Sequence, residues 1–211
     1  MTFSTNVADI MIKKTILEAL ALIVLFAVVA GCIDLDILYF KNRMTEASVT
    51  ESVQLVFLAI TVYSFFRIGK LRPELHRAAY LIAAFYAVLF IRENDEILDL
   101  IYHGAWQVPA LIVTAIALFY AYKGGKATLQ HMSTILGTHN MSFVVSGTIM
   151  LLVFSRLYGM GKLWEALMED KFSRVVKNVA EEGIELLCYS LIAYGAVKVL
   201  CELTKAKKAR A

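Results

Sequence analysis

The chain has 211 residues, 59% of them hydrophobic and 18% charged, with a mean hydropathy of +0.66 and a formal net charge of +3. That balance lies outside the range of ordinary soluble domains and reads as a single helical membrane domain, residues 1–211. The basic residues fall between apolar runs without forming a face, which argues against nucleic acid as a partner.

The first apolar run, residues 15–34, follows Lys13 and Lys14 and ends at Asp34. It is too long for the apolar core of a signal peptide and has no small-residue cleavage pattern behind it, so it is expected to be a retained span. Ser48 and Glu51 have the spacing of a capping box, which opens a second span over residues 49–67. The third apolar run, 78–91, covers only ~21 Å as helix, whereas a bilayer core needs ~30 Å. Its helix is therefore expected to continue into the acidic stretch RENDEILDLIYH and to occupy residues 77–100.

Trp106 opens a fourth span at 106–122, and Pro109 is tolerable in its first turn. Residues 127–140 form a mildly amphipathic segment suited to a membrane surface. The fifth span is 141–158. Between 161 and 180 the apolar positions Leu163, Trp164, Leu167, Phe172, Val175, Val176 and Val179 recur at helical spacing. An interfacial helix is expected there, placed to cover whatever opens beneath it. The sixth span, 182–204, runs into a basic tail. Cys32, Cys188 and Cys201 all lie inside apolar segments, which argues against a secreted disulfide scaffold.

The expected fold is thus an all-α polytopic bundle of about six transmembrane helices with one or two interfacial helices. With the N-terminus inside, twelve Lys and Arg fall on the cytoplasmic side, Arg210 among them, and eight on the outer side, Arg43 among them. The bias favours an N-in/C-in protein of a plasma membrane, of the bacterial inner-membrane type. In that topology ten carboxylates, including Asp34, Asp36 and Asp95, fall at the outward end of the bundle. Ionisable groups at that depth are costly and are candidates for function.

Spacing decides which of them can meet. Arg92, Glu96, Asp99 and His103 would share one face of a continuing helix, with Glu93 beside them. Glu182 and Glu185 share a face of the last span, continued inward by Cys188 and Tyr189. Glu51 and Gln54 make a third pair on the second span. Carboxylates this dense repel one another unless a divalent cation, shared protons or the bases Arg92, Arg156 and Lys177 lie among them.

An oxygen-rich set with one imidazole suits Mg, Ca, Mn or Fe better than structural Zn, and a catalytic Zn would have His103 as its only nearby His. The expected metal ligands are Glu93, Glu96, Asp99, His103, Glu182 and Glu185. Glu51, Gln54, Arg92 and Arg156 are the expected ligand-binding groups, Arg92 being suited to an anionic group such as a lipid phosphate. The di-iron pattern of Glu-x-x-His on two helices is absent, as are the clustered histidines of an intramembrane zinc amidase.

Three functions compete at this level. The first is an outward cup for a divalent cation or a polar or cationic small ligand, extending to a metal-dependent membrane enzyme. The second is a non-enzymatic subunit that docks a membrane-protein partner or a second copy, its acidic layer a structural salt-bridge network. The third is ion or proton transport, which would need a polar path inward, where only Thr114, Ser142, Ser146 and Thr148 interrupt the apolar runs. The lipid bilayer is the partner common to all three.

Overall fold

A computed structural model describes the backbone of residues 2–41 and 48–208, with side chains for 8–41 and 48–206. Arg43 and Arg210, both counted in the sidedness argument, lie outside the described residues. The chain is 88% helical, and no strand occurs among the described residues. Five helices are long and apolar enough to cross a membrane, and a bent pair makes up to a sixth.

α1 (Thr2–Asp34) continues through a π-helical turn (Leu35–Tyr39). α2 (Val49–Leu71) leads by a 3-10 turn (Pro73–Leu75) into α3 (His76–Arg92). A short α4 (Asp95–Asp99) and a loop precede α5 (Gln107–Tyr122) and α6 (Lys126–Leu136). α7 (Met141–Met150) passes through a π-helical turn (Leu151–Ser155) into α8 (Arg156–Gly159). α9 (Gly161–Met168) and α10 (Arg174–Lys208) complete the chain.

α10 is the hub. It packs on α2, α7 and α1, while α3 lies on the far side of α2 and α5 lies on α3. The core between these helices holds Leu58, Phe65, Ile82, Tyr86, Val144, Ile192 and Val199. Phe65 and Tyr86 stack within it at 6.1 Å between ring centroids. Polar residues in mid-helix satisfy themselves locally: Thr61 donates to the Phe57 carbonyl at 2.9 Å, Ser64 to that of Ile60 at 2.7 Å. Such back-bonding lets a hydroxyl lie in an apolar bundle without a partner from another helix.

Close approach of α7 and α10 depends on two glycines. A Cβ on Gly147 would meet Ile192 Cγ1 at 2.8 Å, and one on Gly195 would meet Val144 Cγ2 at 2.8 Å and the Val144 nitrogen at 2.9 Å. Backbone cannot yield as a side-chain tip can, so Gly195 sets the interaxial distance, as small residues do in membrane bundles.

Three expectations of chain course need correction. The third span gains its missing length at the other end: Pro73–Arg92 is 20 residues, ~30 Å of helix. There is thus no need to draw acidic residues into it, and residues 93–100 lie outside α3. Asn94 ends α3 by donating to the Phe90 carbonyl at 2.7 Å, a bond that competes with continuation of the helix. The amphipathic segment 161–180 is two elements. It is cut at Glu169, where φ is +50°, in a 3-10 turn of consecutive charges (Glu169–Lys171), and its second half is the start of α10. The last helix therefore begins well before residue 182.

The segment after α5 turns sharply. α6 makes an angle of 107° with α5 and lies against α3 and the Pro73–Leu75 turn. Gly125 permits this with φ of +51°, a left-handed value that side chains disfavour.

Gly195→Ala is expected to cost ~1–3 kcal/mol by overpacking against α7. Gly31→Ala, in a position with nothing within 4 Å, is expected to be neutral or to stabilise by up to ~1 kcal/mol. Thermal unfolding of both variants in one detergent measures the contrast.

Candidate functional site

One end of the bundle gathers the acidic residues. Glu51 from the first turn of α2, Arg92 and Glu93 from the end of α3, Asp95 and Glu96 from α4, and Glu181, Glu182 and Glu185 from α10 line a cavity of about 250 Å³. Seven carboxylates thus face it with one guanidinium, and its walls are almost wholly polar. At ~30 Å³ per water, the space corresponds to roughly eight waters.

The elements that hold these groups can be followed upward from the chain. Ser48 accepts from the Glu51 nitrogen at 3.1 Å, and the Ser48 nitrogen donates to Glu51 Oε2 at 3.4 Å, so the capping box is present and Glu51 also faces the cavity. Asp36, in the turn after α1, adds a second clamp on the same helix start. Its carboxylate accepts from the nitrogens of Val49 and Thr50, both at 2.8 Å, and from the Thr50 hydroxyl at 2.7 Å. It is 1% exposed, and the positive end of α2 is what makes burial of a carboxylate tolerable there.

The floor is built from buried polar groups. Gln54 donates its amide to Glu182 Oε2 at 3.1 Å and to the Glu182 carbonyl at 3.2 Å, which ties α2 to α10. The Tyr189 hydroxyl, one turn below Glu185, donates to Glu93 Oε1 at 2.9 Å and ties α10 to the end of α3. Ser155, in the turn after α7, is hydrogen-bonded to Glu185, which is only 5% exposed. Cations sit at the edges: Arg92 pairs with Glu93 at 2.8 Å, and Lys177 with Glu181 one turn along α10.

Not every expected residue arrives. His103 is fully exposed and pairs with Asp99 at 2.9 Å, and Asp99 also accepts from the Gly104 nitrogen at 2.8 Å. This pair closes the loop after α4 and does not line the cavity, because the helix expected to carry residues 92–103 on one face breaks at Asn94. Arg156 is exposed and also lies outside the lining, as does every residue of α9. Among the described residues no three His, Cys, Asp or Glu side chains converge as a metal-ion site.

Glu51, Arg92, Glu93, Glu96, Glu182 and Glu185 are brought together around one space, and Gln54 supports it from below. Three participants had weaker signals. Asp95 was legible only as a member of an acidic layer, Glu181 by its four-residue spacing from Glu185, and Tyr189 only as a continuation of the Glu182–Glu185 face. Ser155 had no signal, since its position depends on how α7 meets α10. No family model, curated protein or solved structure matches this chain.

Asp36→Ala is expected to lower stability by ~1–3 kcal/mol, because it leaves buried donors of Val49 and Thr50 unpaired. Gln54→Leu is expected to free Glu182 at smaller cost. Thermal unfolding checks the first. A cysteine cross-link between the starts of α2 and α10, slowed in the second variant, checks the other.

Proposed function

We propose that the protein is a six-crossing membrane protein of a plasma membrane, of the bacterial inner-membrane type, with both termini inside, and that its acidic end is an outward-facing binding cup for a cationic ligand. The observation that carries the reading is the lining itself: carboxylates from three separated stretches of chain share one cavity, and the cations among them are too few to neutralise it. Five long apolar helices support the crossings, and the bent pair of α5 and α6 adds up to a sixth if the two are one broken span.

The spread of the carboxylates favours a ligand that keeps its own shell. A bare ion needs oxygens converging at ~2.0–2.6 Å, whereas a hydrated divalent ion of the Mg class is held through its waters, and an organic ammonium through several N–H bonds. The cavity volume accommodates either. Passage through the bundle is disfavoured by what lies beneath the cup: Leu58, Cys188, Leu151 and Ile192 fill the core, and the Tyr86 hydroxyl is taken up by Thr148 at 2.7 Å.

A second reading, docking of a membrane-protein partner or of a second copy, is favoured by α1. Its residues Ile10, Met11, Leu17, Ile23 and Val24 are all more than half exposed. In the membrane, either lipid or another protein covers that face.

The cup is tested on purified protein by elemental analysis and by thermal shift with magnesium, calcium, manganese and a short diamine. Saturable stabilisation by one of them, reduced tenfold or more in apparent affinity by Glu185→Gln and Glu96→Gln, is expected. Equal response of wild type and both variants to every cation would overturn the reading, and a stoichiometric metal separates the ion from the ammonium. The docking reading predicts instead that cysteines at Leu17 or Val24 cross-link to another chain in native membranes.

A further inference from the structure

The opposite end of the bundle holds a larger cavity, about 480 Å³, between the first half of α1, the loop before α7 and the last turns of α10. Its charged groups are Lys14, Lys198, Lys205, Glu18 and Glu202. Both carboxylates are engaged by the protein. Glu18 pairs with Lys198 at 2.8 Å, and Glu202 accepts from the nitrogens of His139 and Asn140, at 3.2 and 3.4 Å, and from the Asn140 amide at 2.7 Å. Lys14 and Lys205 add two positive charges, of which the hydrogen-bonded Glu202 carboxylate offsets one, so that the lining keeps a net positive charge. The walls are otherwise mainly carbon, from the lysine stems and Cys201. Positive charge over an apolar wall suits an amphiphilic anion, and the volume lies in the range of small-ligand sites.

Depth identifies the class. Lys205 follows Glu185 by twenty residues on α10, and Lys14 precedes Asp34 by twenty on α1, each ~30 Å of helix, the thickness of a bilayer's apolar core. With the acidic cup at one interface, the two lysines stand at the level of the opposite headgroups. Leu17, one turn deeper than Lys14 on the same face of α1, is 69% exposed and offers a surface along which an acyl chain can run.

We infer that this cavity is a headgroup site for an anionic phospholipid, with Lys14 and Lys205 holding the phosphate, the Glu18–Lys198 and Glu202–Asn140 pairs shaping the walls, and an acyl chain lying along α1. Basic pockets between helices on the cytoplasmic side are suited to such lipids. The inference rests on the membrane reading above and is independent of what the cup binds. Alkaline carbonate extraction of native membranes tests that membrane reading by itself.

The site is tested by native mass spectrometry and thermal shift of the full chain in micelles doped with phosphatidylglycerol, with phosphatidylcholine, or supplied with inorganic phosphate alone. Selective retention of, and stabilisation by, phosphatidylglycerol is expected. Lys14→Gln/Lys205→Gln should bind it roughly 30-fold more weakly, and Lys14→Arg/Lys205→Arg should restore binding. The Glu18–Lys198 pair is intact in both variants, and their unfolding in phosphatidylcholine micelles reports whether the fold survives. Equal binding of phosphatidylcholine, an inorganic phosphate effect as large as that of the lipid, or unchanged binding by the folded Gln variant would each overturn the inference.

Discussion

A carboxylate buried to 5% exposure, where the acidic start of α10 passes into its apolar stretch, is the constraint from which the acidic end follows. Glu185 lies on α10, one turn above Tyr189 and next to Leu186, and an ionised group there is tolerable only if protein dipoles, water or counter-charge replace the solvent it has lost. Ser155 supplies one hydrogen bond, and the open side of the cavity supplies room for water or ligand. Gln54 and Tyr189 then link the neighbouring carboxylates Glu182 and Glu93 to α2 and α10. The cup is less a collection of acids than a set of crosslinks among α2, α3 and α10 that keeps a polar space from collapsing.

The same helix decides the other end. α10 carries Glu181, Glu182 and Glu185 near its start and Lys198, Glu202 and Lys205 near its finish, with an apolar stretch between them packed on α2 and α7. Apart from the Tyr86–Thr148 bond, the mid-helix hydroxyls of Thr61, Ser64 and Ser190 bond to their own backbone, and interhelical polar chemistry gathers toward the two ends. That segregation gives the molecule two dissimilar cavities: one smaller, acidic and polar-walled, the other larger, apolar-walled and fringed by lysine.

Individual residues show where reading from the chain fails. Asp99 and His103 have ideal helical spacing from Arg92, yet one asparagine bond to the Phe90 carbonyl stops the helix and turns them into a loop-closing pair. The short third run invited an extension forward, whereas Pro73 and the turn after it supplied the length from behind, where Pro is welcome at a helix start. Ser48 and Glu51 were legible as a cap, since both partners lie within four residues. The clamp by Asp36 on the same helix start was not, because its partners lie 13 and 14 residues further along the chain.

Sequence alone determined the all-helical class, the position of most of the apolar helices, and the concentration of acid at one end and base at the other. These depend on composition and on periodicity within a few turns, both local properties of the chain. Only the tertiary structure decided which acids share a cavity, and that Glu182 rests on Gln54, 128 residues away. Such meetings depend on interaxial distance, on the glycines that set it, and on where each helix stops, and those are resolved by packing between helices and not by spacing along one.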